Sequence, residues 1–448
     1  MTEKLLIKNA RLVNEGQITA ADVLIHKGRI AKIDGSISAG TGVYVLDANG
    51  AHLFPGMIDD QVHFREPGLT HKAGIWSESR AAVAGGITSF MEMPNTLPPT
   101  LTLQTLEDKY TIAASKSLAN YAFYLGASND NLDVIRSLPP GAACGIKVFM
   151  GASTGNMLVD DDKTLAGIFR DAPILIATHC ESTPLINKNL EVALERYGRE
   201  IPVTEHPRIR DAEACYQSSR KATELAKEHD AQLHILHLST AREMELFAAG
   251  PIEGKNITAE VCIHFLHFNS NDYARLGNRI KCNPAIKSPG DQQALLKALK
   301  DDRLDIIATD HAPHTIEEKA DSDYLVAPAG LPLVQDALLA TLELCHDGIL
   351  DMTEIVRKTA HNVATRFGVV DRGFIREGYW ADLVLLDMQH ETPVTQERVL
   401  SKCGWSPFEG RTFRSRIVST LVNGRLAWHE NRIVEHNSAA RLNFTHRY

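Results

Sequence analysis

The chain has no uninterrupted apolar run approaching the roughly 20 residues that a membrane-spanning helix needs. Its opening residues, MTEKLLIKNARLVNEG, are broken by charges every few positions, which excludes a signal-peptide apolar region. Paired cysteines are missing too. The seven present (Cys144, Cys180, Cys215, Cys262, Cys282, Cys345 and Cys403) are odd in number, scattered and without CxxC spacing. Neither a disulfide framework nor a cysteine zinc site is therefore suggested, and the expected setting is the cytoplasm. No basic block is found: 47 Lys+Arg against 56 Asp+Glu give a formal charge of −9, spread along the chain. That balance favours solubility and argues against nucleic acid as the main partner, as the missing apolar run argues against a membrane. No internal repeat or low-complexity segment is evident.

What is present is a long chain, 448 residues with 44% apolar, enough for a large core. At about 150 residues per domain it would divide into two or three, or into one α/β barrel of about 250 residues with a companion module. Both ends read as short strands and turns. Near the start lie LLIKNARLV and ADVLIHKGRIAKID, with Lys27-Gly28-Arg29 as a hairpin turn; near the end lie IREGYWADLVLLD and RIVSTLVNGRLAWHENRIV, with Asn423-Gly424 as another. Each end is too small for a good core, so the two are expected to pair into one β module.

Between them, short apolar runs alternate with helix-like stretches such as 71–86 and 212–229, the pattern of a parallel sheet with crossover helices. Eight candidate strands can be read: LFPGMIDDQVHF, GITSFMEM, NYAFYLG, GIKVFMG, ILIATHC, LHILHLS, ITAEVCI and LDIIATD. Eight is the number that closes an α/β barrel of the (β/α)8 type.

His63, Asn95, Lys147, His179, His237 and Asp310 each fall at or just past the C-terminal end of such a run. In a barrel that rim is where side chains from several strands converge on an active site. Imidazoles and a carboxylate suit zinc or a similar divalent ion. Asp310, in IIATDHAPH, is the candidate ligand and general base, able to take a proton from water. Lys147 cannot ligate as an ammonium, so at an apolar strand end it should pair with an acid, lose its proton or be chemically converted. By strand alternation His234 is expected on the opposite face from His237, as a structural residue.

The string DDQVHFREPGLTHK (59–72), followed by AGGITSFMEMPNT, GIKVFMG, ATHC, HILHLS, EVCIHFL, CNPAIKS and TDHAPHTIEEK, resembles in order and spacing the dihydroorotase group of the amidohydrolase superfamily. The resemblance runs through nearly the whole chain. It implies a barrel over 55–371 and a small composite β-sandwich from 1–54 and 372–448. It also implies reversible, zinc-dependent conversion between dihydroorotate and N-carbamoyl-aspartate, a step of pyrimidine synthesis. Residue by residue, it makes Lys147 a carboxylated ligand bridging two zinc ions per chain, with His63 and Asp310 on one ion and His179 and His237 on the other. Arg65, Asn95 and His314 would hold the substrate carboxylate, and Asn283 and the backbone at Ala329-Gly330 the ring amide. Glu260 and His264 would lie behind the ligands. The segment 151–161, with Ser153 and Thr154, would be a loop over the substrate.

Two places depart from the group's pattern: HFLH at 264–267 stands where paired histidines are usual after EV, and the first strand lacks the His-x-His that the group carries. Here it is Gln61-Val62-His63. An amide oxygen is a weaker donor to zinc than imidazole, so the ion on His63 and Asp310 is the one in question. Two other functions compete. One is another cyclic amidohydrolase, of dihydropyrimidinase or allantoinase type, which would not need Arg65. The other is a silent homologue acting as a structural partner. Some relatives assemble with aspartate carbamoyltransferase, but no interface of that kind is marked in the sequence, and a homodimer is the default by analogy.

Overall fold

All eight apolar segments form parallel strands in the computed structural model, which describes residues 4–151 and 157–445. They are Met57–Val62, Ile87–Glu92, Asn120–Phe123 continued by Leu125–Gly126, Ile146–Phe149, Ile176–His179, Leu233–Ile235, Ile257–Cys262 and Ile306–Ala308. Each pairs with the next along the chain. A parallel bridge between Val62 and His311 joins the last strand back to the first, closing a barrel. The first two strands are buried at every position. Helices cover one side of such a sheet and packed side chains fill the other, so these strands read as continuous apolar runs rather than as alternation.

The crossover helices follow from the same logic. Ala212–Glu228 starts where the Asp211 side chain accepts a hydrogen bond from the Ala214 backbone, and it buries Ala214, Ser218, Ala222 and Ala226 at helical spacing. The stretch expected from residue 71 becomes helical only at Ile75–Ala84, after Gly74 in extended conformation.

The two ends of the chain meet in one nine-stranded sheet. Leu383–Asp387 lies antiparallel to His52–Pro55, with Leu385 opposite Leu53. Ile7, Val23, Ile25, Leu53, Leu383 and Leu421 form its core. Both predicted hairpins are two-residue turns with positive φ at each position: Lys27 and Gly28 at 51° and 80°, Asn423 and Gly424 at 48° and 71°. Those angles suit the primed turns that match strand twist. Among the described residues no helix is long and apolar enough to cross a membrane. Ser153 and Thr154 lie outside the described residues.

Asp382 joins the terminal sheet to the barrel. Its carboxylate accepts hydrogen bonds from Asn120 on the third barrel strand (3.2 Å), from the Asn423 backbone (2.7 Å) and from Arg372. Asp382 and Arg372 are both buried. Removing one partner of a buried pair leaves an uncompensated charge, so Asp382→Ala should cost about 3 to 5 kcal/mol. A lower denaturant midpoint checks this, and a midpoint equal to wild type contradicts it.

Candidate active site

A cavity of about 460 Å³ opens at the C-terminal rim of the barrel strands, and the ligand and substrate residues expected from the sequence line it, while Glu260 and His264 do not. Gln61, His63 and Arg65 come from the first strand and the turn after it, Asn95 follows the second, and Lys147 sits on the fourth. His179 ends the fifth strand and His237 follows the sixth. Asn283 follows the seventh, while Asp310, His314 and Gly330 follow the eighth. Three of these hold the left-handed backbone that side chains disfavour: Arg65 at φ 68°, His237 at 43° and Asp310 at 50°. Such conformations persist where the surroundings over-determine them, and they gather at functional sites.

On one side of the cavity, His179 Nδ1 lies 2.9 Å from His237 Nε2, and His179 Nε2 lies 2.9 Å from a Glu181 carboxylate oxygen. Burial alone would raise Glu181, but the Arg210 guanidinium and the His179 hydrogen bond outweigh it and hold the carboxyl down at about 2. The anionic Glu181 therefore takes the proton on His179 Nε2, which leaves Nδ1 as a lone pair aimed at His237. The two ring nitrogens face each other at hydrogen-bond distance, close enough together to serve as two donors to one cation. Beside them Lys147 is 1% exposed, its Nζ has no hydrogen-bond partner among the described residues, and burial pushes its pKa down to about 7.

On the other side, His63 Nδ1 is 2.8 Å from Asn95 Oδ1 and His63 Nε2 is 3.1 Å from Asp310 Oδ1. The amide oxygen only accepts, so the His63 proton sits on Nδ1 and a nitrogen lone pair faces a carboxylate oxygen. A cation between them, or a proton on Nε2, satisfies that contact. Gln61 brings an amide: its Nε2 donates to the same Asp310 oxygen at 3.3 Å, and its Oε1 lies 3.5 Å from the Cys262 thiol. This half of the site is thus one strong donor short.

At the outer end of the cavity Arg65 is 8% exposed and, among the described residues, makes no ion pair. Its Nε donates to the Pro313 carbonyl at 3.1 Å and its Nη2 sits 3.1 Å from His314 Nε2. Desolvation lowers it to about 10, which still leaves the guanidinium charged at neutral pH. Asn283 Oδ1 is buried without a hydrogen-bond partner among the described residues. Gly330, at φ 143°, is required as glycine, since a Cβ would lie 2.4 Å from the Ala312 carbonyl. Its N–H is already donated to the Lys281 carbonyl at 2.9 Å, so Gly330 can offer a ligand only its carbonyl.

His234 corrects the alternation argument. Its Nε2 reaches Asp60 at 3.4 Å and Glu260 at 3.2 Å, so a side chain of the sixth strand meets one of the first. Those strands are not neighbours in the sheet, so the contact crosses the barrel interior. Alternation fails because His237 stands beyond its strand in left-handed conformation. Asp60, His234 and Glu260 have metal-binding types within 4.8 Å of one another. Burial lowers His234, yet the two carboxylates outweigh it and raise it to about 9, and an imidazolium has no lone pair for a metal. Glu260 also accepts from the His237 backbone at 3.1 Å, which ties this ion cluster to the rim. Sequence reading missed Glu181, Lys72 and Asp60. Glu181 was within reach, as an acid two residues beyond a histidine in ATHCE.

The amidohydrolase family profile matches residues 52–427. An allantoinase of Bacillus velezensis is 31% identical over 435 residues, covering 96% of this chain and 95% of that protein. A dihydroorotase of Bacillus cytotoxicus is 33% identical over 436 residues, covering 94% and 98%. Among solved structures, the L-hydantoinase (dihydropyrimidinase) of Arthrobacter aurescens superposes with a TM-score of 0.93 at 27% identity, covering 99% of this chain and all of that one.

Proposed function

Because the chain belongs to the amidohydrolase family and is a hydrolase of cyclic amide C–N bonds, we propose that its substrate is dihydroorotate, opened reversibly to N-carbamoyl-aspartate in pyrimidine synthesis. The observation that carries this reading is Arg65: a buried guanidinium with no acid partner among the described residues, facing the cavity beside His314. An uncompensated buried cation is costly, and a planar carboxylate accepting both of its N–H groups removes that cost.

The donors fit divalent metal, for which the family is known. His179 Nδ1 and His237 Nε2 would hold one ion, His63 Nε2 and Asp310 a second, and Lys147 would bridge them. The partnerless Lys147 amine supports the last assignment, because burial keeps a large share of it neutral near pH 7. A neutral amine adds carbon dioxide and loses one N–H proton, giving a carbamate with two ligand oxygens. Zinc, when bound, supplies Lewis acidity that acidifies water and polarises the ring carbonyl. The remaining steps belong to the chain. Arg65, His314 and Asn95 fix the substrate carboxylate, the last through Nδ2 because its Oδ1 is given to His63. Asn283 Oδ1 accepts the ring N–H, and Asp310 takes the proton of the attacking water and passes it to the leaving nitrogen.

Hydrolysis of allantoin is the second reading, supported by the similarity to an allantoinase. Allantoin is uncharged and would leave Arg65 unmatched. Loss of dihydroorotate ring absorbance, measured beside allantoin and hydantoin turnover on protein of known metal content, separates the readings. The highest kcat/KM is expected for dihydroorotate; a tenfold preference for allantoin would overturn the assignment.

Gln61 sets a further expectation. With an amide in place of imidazole, the His63 and Asp310 ion should be the weaker one, so purified protein should carry about one tightly held zinc per chain. Gln61→His should bring this to about two, read by elemental analysis after dialysis. Equal metal in both proteins would show that Gln61 does not limit binding.

A further inference from the structure

Lys72 has no part in the readings above, yet it lines the same cavity. It lies seven residues beyond Arg65, and the fold carries its Nζ to 2.9 Å from His314 Nδ1 and 3.0 Å from Glu318. Glu318 is itself fixed, since its carboxylate accepts from the Thr315 backbone at 3.0 Å. The Lys72 ammonium is thus anchored by a carboxylate on one side and presented to the imidazole on the other.

That contact decides which His314 nitrogen carries the proton. Burial, followed by the charges of Arg65 and Lys72, drives the His314 pKa far below its ordinary value, so the ring is neutral with one N–H. An ammonium donates and cannot accept. Nδ1 must then be the acceptor, and the proton sits on Nε2, which lies 3.0 Å from the Ala329 carbonyl. Nε2–H and Arg65 Nη2–H face each other 3.1 Å apart as two donors. An anionic oxygen placed against both would accept the Arg65 N–H and share the Nε2–H with the Ala329 carbonyl. Without Lys72, the Nδ1–H form would point its proton toward Glu318, 3.6 Å away, and let Nε2 accept from Arg65 instead. The two groups would then satisfy each other and the pocket would lose a donor.

We propose that Lys72 is a positioning residue that holds His314 in the Nε2–H form, so that His314 and Arg65 together receive the carboxylate of an anionic cyclic amide. The inference rests on the dihydroorotate reading for its substrate, but the tautomer is measurable without turnover.

Two readouts on Lys72→Met test it. Nitrogen-15 spectra of histidine-labelled protein, with the His314 signal assigned through His314→Gln, should show Nε2–H in wild type and Nδ1–H in the variant. On dihydroorotate, kcat/KM should fall through KM by about tenfold or more beyond any fall on dihydrouracil, which has no carboxylate; that is the size of one hydrogen bond to a charged group. Lys72→Arg, which keeps a donor, should restore part of both. An unchanged tautomer in the variant, or equal losses on the two substrates, overturns the proposal. A wild type inactive on dihydroorotate whose tautomer still switches in Lys72→Met would remove the substrate reading and leave the positioning role standing.

Discussion

Lys147→Ala should lose most of its bound metal and on the order of 10³-fold in kcat/KM on dihydroorotate, because Lewis acidity contributes several kcal/mol to transition-state stabilisation. The reason lies in what surrounds the amine. Lys147 is buried, its Nζ has no hydrogen-bond partner among the described residues, and it lies 4.4 Å from the Phe149 ring centroid. A lysine kept there only for packing would be a poor choice, since burial costs it charge without a compensating acid. The proposed conversion to a carbamate would turn that cost into an anion with two oxygens beside His179, His237 and Asp310. Two measurements separate this from a structural loss. The variant should keep the wild-type circular dichroism spectrum and melting profile. Wild-type protein stripped of metal and bicarbonate should regain activity with zinc and bicarbonate together, but not with zinc alone. Full activity in Lys147→Ala would remove the bridging role.

The barrel was readable from the chain because parallel strands buried on both faces leave continuous apolar runs, and because polar residues ending those runs stand out. His63, Lys147, His179 and Asp310 were visible for that reason. The hairpins were visible through Lys27-Gly28 and Asn423-Gly424, whose positive φ values few other pairs tolerate. Other features had no local signal. Lys72 meets His314 across 242 residues of sequence, and nothing near Lys72 announces the partner. The interior position of His234 was misread because alternation assumes an unbroken strand, while His237 is in left-handed conformation. Asp60 and Gln61 are adjacent, so alternation would place them on opposite faces. The register between the first two strands is broken from Asp59 to Val62, and both side chains meet residues of the barrel interior, Asp60 meeting His234 and Gln61 meeting Asp310. The consequence falls on function: the same irregularity that brings Asp60 to His234 brings an amide to the place where a third strong donor would stand.

Arg65→Ala should cost about 2 to 5 kcal/mol on dihydroorotate, about 30- to 5,000-fold in kcat/KM, because it leaves the substrate carboxylate buried against fewer donors. The same variant should lose far less on dihydrouracil or hydantoin, which lack that carboxylate. This contrast carries the substrate assignment. Ring opening is common to the cyclic amidohydrolases, whereas a buried guanidinium without an acid among the described residues calls for a substrate that brings the negative charge. Arg65→Lys should recover little, since an ammonium cannot reproduce the two-pronged contact or the hydrogen bond from Nε to the Pro313 carbonyl. Because Arg65 occupies a left-handed backbone position, φ 68°, any replacement could also disturb the rim. Equal losses on all substrates would signal that disturbance, whereas losses confined to the anionic substrate would mark Arg65 as its binding group. If Arg65→Ala kept full activity on dihydroorotate, the charge in this pocket would serve something else, and allantoin or hydantoin would become the leading substrate class.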